Sequence, residues 1–359
     1  MFKIVKREAH KRSFLYLLGI PLLAIAAALA VASLLILAIG IDPIKAYGAM
    51  FTGAFGSTYR SSEVLVKMTP LLLTGLGVAF AFRTGMFNMG AEGQLAIGTI
   101  ACIVVMLYVP AGAFVIPLAL LAAFVAGGLY GAIPGILKAK LSVSEAIVTI
   151  MMNFIATLLV SRLLNSVLKD PNGYLPQTAL TPKNAYMSVL IENTRLHTGF
   201  IIAIALAIIG YLVMFYMPVG FKMRAVGSNR NAARYGGYKI SAMMVLSMVI
   251  SGGLAGLAGA IEIGGLHHRL LEGISANYGW DAIAVALIGK QNPLGILISS
   301  LLFAALKVGG NAMQSSQGVP YNLVDVLQGL VILFTLGSDF FGRYKILYVR
   351  QAKEKQINV

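Results

Sequence analysis

Charge is what this sequence has least of. Only 11% of its 359 residues are Asp, Glu, Lys or Arg, against about 25% in an ordinary soluble domain. Water is therefore not its main solvent. Cysteine is nearly missing too. Cys102 is the sole one, so no disulfide can form within the chain, and its apolar neighbours make it a small hydrophobic residue. No G-x-x-x-x-G-K-[ST] phosphate loop occurs, so the chain is not expected to hydrolyse ATP itself. No Cys/His group has metal-ligand spacing. His197, His267 and His268 fall in segments read as outer loops and His10 lies near the start, so no Ser-His-Asp set assembles. Neither enzyme chemistry nor a resident cofactor or metal is expected.

What is present in quantity is apolar: 58% of residues are hydrophobic and the mean hydropathy is +0.83. Continuous apolar runs recur, each near the roughly 20 residues that cross a bilayer core as a helix. Barrel strands would instead show short alternating segments. Only structures that pair all their backbone groups internally can span, and helices do so alone. The reading is an all-α polytopic membrane protein with about ten spans, at 14–40, 63–82, 88–109, 113–137, 144–168, 199–217, 241–263, 276–289, 294–308 and 321–340. The eighth and ninth are short. The first exceeds the 7–15 apolar residues of a cleavable signal and is read as retained.

The net charge is +15, but the basic residues do not form one patch, so nucleic acid is not an expected partner. They cluster at the ends of apolar runs. With the N-terminus inside, inner segments hold 19 Lys and Arg and outer segments 6, while Lys67, Arg162 and Lys307 fall within spans. That asymmetry places both termini in the cytoplasm. Residues 1–13 form the N-terminal segment, 14–340 a single membrane domain and 341–359 a C-terminal tail. The loop at 218–240 is inner and basic. Spans two to five and seven to ten suggest two inverted halves, each with an interrupted segment. One carries Lys67, Pro70, Gly75 and Gly77, and the other breaks at Gln291-Asn292-Pro293. Broken helices in inverted repeats often mark a transport path.

The inner segment at 223–240 reads MRAVGSNRNAARYGGYKI. Asn229 is placed to cap a short helix over Arg230–Tyr235, ended by Gly236 and Gly237. Such a helix either fixes topology against anionic lipid or docks a partner, its small residues Ala225, Gly227, Ala232 and Ala233 permitting close entry into a groove.

R-A-V-G-x-N-x-x-A-A-R-Y-G-G at 224–237 resembles the coupling region of ABC importer permeases of the branched-chain amino-acid, ribose and nucleoside group. A second block, F-N-x-G-x-E-G-Q from Phe87 to Gln94, is similar to the nucleoside and simple-sugar branch, which works with a basic-membrane-protein-type lipoprotein. A third, YGWDAIAVALIGK at 278–290 followed by Asn292-Pro293-Leu294-Gly295, resembles the same branch. The resemblance covers nearly the whole chain. It implies a type II-like importer bundle in the bacterial plasma membrane. Its partners would be a cytoplasmic ABC ATPase that binds the ATP, a second and different permease, an external binding lipoprotein, membrane lipid and a small-molecule solute, a nucleoside. The ATPase-coupling residues would be Arg224, Gly227, Asn229, Ala232, Ala233, Arg234, Tyr235 and Gly236.

Six residues are candidates for the solute pathway. Phe87 and Asn88 offer a stacking surface and a hydrogen-bonding surface to a ring, and Glu92 is an ionisable group close to the membrane interior. Asn153, Trp280 and Asp281 complete the set. Plainer readings stand beside these. Glu92 would pair with Arg83, Asn153 would bond a neighbouring helix, Lys67 would snorkel outward, Glu145 would take part in first-turn capping after Ser142 and Ser144, and Glu262 would be solvated. The run GGLAGLAG at 252–259 reads as a close helix-packing face. Two other functions compete: an ABC permease for a simple sugar, and an ion-driven secondary carrier using Asp281, Glu92 and Asp325. A carrier has no need of the docking helix at 223–240.

Overall fold

In the computed structural model, residues 2–6, 14–110 and 112–348 are described. In chain order they form β1 (Phe2–Lys6), α1 (Phe14–Ala38), α2 (Pro43–Phe55), α3 (Thr58–Arg83), α4 (Ala91–Tyr108), α5 (Val115–Leu141), α6 (Glu145–Leu164), α7 (Gly199–Tyr216), α8 (Pro218–Ser228), α9 (Arg230–Tyr235), α10 (Ile240–Glu262), α11 (Tyr278–Ile288), α12 (Pro293–Gln317), α13 (Tyr321–Arg343) and β2 (Tyr344–Tyr348). The chain divides into two compact units, one of Met1–Tyr47 with Gln314–Val359 and one of Gly48–Met313.

In the first unit α1 packs along α13. Gly40, at φ +80°, breaks the helix after α1, as glycine does where a side chain is strained. The Tyr47 hydroxyl donates to the Leu29 carbonyl at 2.7 Å and ties the start of α2 back to α1. β1 and β2 pair antiparallel, Phe2 opposite Tyr348 through to Lys6 opposite Tyr344.

The larger unit is built around α10, which packs on α5, α3 and α4. α3 and α10 are buried along most of their length, while α5, α6 and α7 expose rows of Leu, Ile and Val. An apolar exterior around a packed interior is the pattern of a bundle solvated by lipid. The centre closes on glycine. A Cβ on Gly252 or Gly256 would overlap the backbone of Gly127 or Ala123 in α5, and one on Gly98 of α4 would overlap Gly256. The expected packing face at 252–259 is therefore the axis of the bundle, where small residues let backbones touch.

Among the described residues eight helices are long and apolar enough to cross a membrane, and nine if α1 and α2 are one broken span. The short α11 supplies the tenth apolar segment. The ten expected spans thus each find a helix, with four corrections. α2 was not anticipated. The eighth span shrinks to the 11 residues of α11. The ninth lengthens to the 25 of α12, because its polar C-terminal half, with Asn311 and Gln314, continues the helix. Finally, α3 runs unbroken through Pro70, and the irregular backbone comes after it, at 84–90. Packed neighbours on every side let α3 absorb one lost backbone bond.

Gly256→Ala should lower the stability of the purified protein by about 1–3 kcal/mol through overpacking. Gly329→Ala, with open space at its Cβ, should leave the melting temperature unchanged or slightly raised. Equal melting of the two in detergent would remove the glycine contact as the basis of the core.

Candidate functional site

At one end of the bundle α8 and α9 form a basic elbow. Asn229 sits between them with extended backbone, and its Oδ1 accepts from the Ala232 N–H at 3.1 Å, closing the first turn of α9 as expected. At the other end of α9, the Gly236 N–H donates to the Ala232 carbonyl, and Gly237, at φ +77°, donates to Arg234. The expected docking residues divide by face. Ala233 is buried against the bundle, whereas Ala232, Arg234, Gly236 and Tyr235 (95% exposed) face outward. Gly227 is part of the support, since a Cβ there would overlap the Arg83 carbonyl. Arg224 lies over the Phe215 ring at 5.1 Å, with Arg83 over the same ring at 5.7 Å.

The F-N-x-G-x-E-G-Q block is the non-helical link from α3 to α4. Gly85 (φ +75°) lies against Gly227, and its carbonyl accepts from Arg230 Nη2 at 3.0 Å. Met86 then packs among Ala81, Met244 and Met248, and Asn88 reaches Ser251, halfway along α10. The chain therefore threads from the α9 end to the middle of the bundle as irregular backbone. Apolar surroundings tolerate this only if the backbone groups find partners. α6 supplies them from one face, four residues apart. Glu145 accepts from the Phe87 N–H (3.4 Å), Thr149 Oγ1 from the Met89 N–H (3.3 Å), and Asn153 donates to the Met89 carbonyl while accepting from the Gly93 N–H (both 2.8 Å). Asn88 donates to Gln94 Oε1 (2.8 Å) and Ser251 Oγ (2.7 Å), and accepts from the Gly90 N–H (2.9 Å) and Gln94 Nε2 (3.2 Å).

Asn88 is fully buried with its hydrogen-bonding capacity used. It and Asn153 hold the backbone in place, the plainer of the two roles weighed for Asn153. Phe87 is 56% exposed and its ring meets that of Phe82 in a tilted contact at 5.3 Å, two residues from the carbonyl that binds α9.

Glu92 does not pair with Arg83. Its carboxylate accepts from the Ser275 hydroxyl and, at 2.8 Å, from the Gly279 N–H in the first turn of α11. The amide end of a helix favours a negative group there. Arg83 instead donates to the carbonyls of Gln291 (3.1 Å) and Lys290 (3.3 Å), in the turn after α11. Lys67 is not snorkelling outward, since its Nζ lies 2.9 Å from the buried Tyr278 hydroxyl. Asp281 meets Lys307 Nζ at 2.8 Å, and Trp280 beside it is 40% exposed. The first turn of α11 thus gathers Lys67, Glu92, Asp281, Lys307, Tyr278 and Trp280 from four helices. Lys67 and Lys307 were visible as charges within apolar spans. The same reasoning that singled out Glu92 and Asp281 would have found them.

Two further expectations change. Glu145 pairs with Lys138 at 2.8 Å, and Ser144 makes no side-chain cap bond. Glu262 is buried, with His267 Nε2 at 3.5 Å. At the end opposite α9, Arg195 and Glu63 form a bidentate ion pair that raises the Arg195 pKa. Burial lowers the pKa of His197. It also lowers that of His268, whose ring stacks on Tyr186 at 3.6 Å.

A multi-pass apolar bundle with irregular backbone at its centre and ionisable groups around a short inner helix has the build of a membrane permease. The sequence profile described as "Branched-chain amino acid transport system / permease component" matches residues 61–336, and the chain belongs to that family. It is similar to the guanosine ABC transporter permease protein NupP of Bacillus subtilis (strain 168), with 39% identity over 93% of this chain and 95% of the relative. The glucose ABC transporter permease protein TsgB13 of Haloferax volcanii is 37% identical over 91% and 89%. The nucleoside ABC transporter permease protein NupB of Lactococcus lactis is 35% identical over 88% and 89%.

Asn88→Leu should strip partners from Gln94, Ser251 and the Gly90 N–H and destabilise the protein by about 1–3 kcal/mol. Phe87→Ala, at an exposed position, should melt as the parent does. A stable Asn88→Leu protein would show that the buried amide is dispensable.

Proposed function

We propose that this chain is the permease subunit of an ATP-driven importer for nucleosides, set in the bacterial plasma membrane with both termini in the cytoplasm. It forms the path and leaves hydrolysis to a separate ABC ATPase, so it has neither catalytic residues nor a cofactor of its own. Its other partners are a second, different permease, an external substrate-binding lipoprotein and the surrounding lipid. The observation that carries this is the short basic helix α9, capped at both ends, with Tyr235 and Arg234 turned outward and Ala233 turned in. A helix docked by its exposed face into an ATPase groove converts closure of the ATPase pair into a rigid-body rocking of the bundle.

The solute path runs past the first turn of α11. Trp280 supplies a face for a base, and Asp281, Lys307, Lys67 and Tyr278 supply donors and acceptors for sugar hydroxyls. Glu92, Asn88 and Asn153 support that path from behind its wall, and Phe87 belongs to the α9 end. The relatives named for guanosine and nucleosides favour a nucleoside. The relative named for glucose favours a simple sugar as the second reading. Both solutes present a hydroxylated ring to the same groups.

Ala232→Asp should abolish uptake of radiolabelled guanosine in cells while the protein remains in the membrane at parental level. Uptake at the parental rate would remove α9 from the coupling step. Asp281→Asn and Lys307→Met should each reduce guanosine uptake about tenfold, the loss of one charge-assisted contact. Glucose competing with guanosine in the parent would move the assignment to the sugar.

A further inference from the structure

The same ten residues hold α11 at both of its ends. Arg83 donates to the carbonyls of Lys290 and Gln291, just past the last turn of α11. Glu92 accepts from Ser275 and from the Gly279 N–H at its first turn. The 11 residues of α11 span about 16 Å, and residues 83–92 lie alongside as a brace across that length. The brace is stiff for a chemical reason. Asn88 has no hydrogen bond to spare, and the backbone of Phe87, Met89 and Gly93 is fastened to α6 through Glu145, Thr149 and Asn153. Close packing leaves no slack at the contact points. A Cβ on Gly279 would overlap the Glu92 backbone, and one on Gly227 would overlap the Arg83 carbonyl.

The brace also touches the α8–α9 elbow. Arg230 of α9 donates to the Gly85 carbonyl at 3.0 Å, and Gly227 at the end of α8 presses on Arg83. Both contacts lie on the short stretch that carries Arg83. A displacement of α9 therefore reaches α11 through hydrogen bonds and van der Waals contacts, with no flexible link between. α11 carries Trp280 and Asp281, the residues given above to the solute path.

We propose that residues 83–92 are the transmission element of this permease, with Arg83 and Glu92 as positioning residues that make α11 move when α9 moves. This rests on the importer reading. Glu92 does not contact solute in this scheme. It orients the helix that does, and the chemistry it needs is an acceptor for the Gly279 N–H.

Trp280 gives a direct readout, because it is the only tryptophan of this chain. The experiment uses the full complex in nanodiscs with its ATPase, second permease and guanosine-loaded binding protein. A parallel complex with Trp280→Phe serves as the spectroscopic blank for the partners' tryptophans. In the parent, adding Mg-ATP analogue should change the Trp280 emission, and the ratio of guanosine imported to ATP hydrolysed is recorded.

Glu92→Ala and Arg83→Met should lose that emission change and lower the import-to-hydrolysis ratio about tenfold, within the usual range of coupling between sites, while the ATPase stays bound and hydrolyses ATP. Glu92→Gln, which keeps an acceptor for Gly279, should restore most of both signals. Ser275→Ala, which removes one of the two contacts and leaves the Gly279 N–H bonded, should show an intermediate loss even if Glu92→Ala fails to assemble. An unchanged ratio and emission in Ser275→Ala and Glu92→Ala, or import and hydrolysis falling in parallel, overturns the brace. So does a parent that imports guanosine with no Trp280 change. A parent that binds no ATPase overturns the importer reading instead.

Discussion

Everything in the larger unit answers to one constraint: backbone that leaves the helical path inside an apolar bundle must find its hydrogen bonds locally. Residues 84–90 break that path. The price of this irregularity is met from three directions: Glu145, Thr149 and Asn153 on α6 bond the backbone directly, and Gln94 on α4 and Ser251 on α10 hold the Asn88 amide that in turn bonds the Gly90 N–H. Each is polar and buried in an apolar run, and each bonds this one segment, Glu145 while also pairing with Lys138. In hydrocarbon surroundings an unmet N–H or C=O costs several kcal/mol, far more than any one of these side chains costs by its own burial once bonded.

The placement of the link then orders the charged groups. It delivers Glu92 to the first turn of α11 and leaves Arg83 at the last, so a helix too short to cross a bilayer alone is fixed at both ends. The positions of Trp280, Asp281 and, through Asp281, of Lys307 follow from that fixation. The glycine-lined axis of α10 acts in the same sense. Backbones in direct contact have no side chains between them to rearrange, so α4, α5 and α10 are held in close register.

Much of this was legible in the residues alone. Apolar runs and the spacing of basic residues marked out the bundle, and Asn229 with Gly236 and Gly237 marked the short helix α9 to its ends, because capping is a local matter of one side chain and the next three amides. Contacts between distant segments were not legible. The partner of Glu92 is a serine and an amide some 180 positions away in sequence, and nothing near Glu92 distinguishes that partner from Arg83. α2 was missed because Lys45 and Gly48 dilute its apolar pattern. α12 was cut short because its last turns are polar on a helix whose packing, rather than composition, keeps it wound. Asn88 reads in the sequence as a recognition group and in the structure is buried and fully hydrogen-bonded, a difference of burial that the residue type alone does not carry.

The ribbon formed by β1 and β2 carries a consequence for parity. Phe2 lies opposite Tyr348 and Lys6 opposite Tyr344, so residues 2–6 and 344–348 must share one side of any membrane the chain spans. A path that departs from a surface and returns to it must traverse the barrier an even number of times. Eight full-length helices meet that condition, and ten meet it when the broken α1–α2 pair and the short α11 each add a traverse, but nine do not, so the pair and α11 count together or not at all, independently of any tally of lysine and arginine.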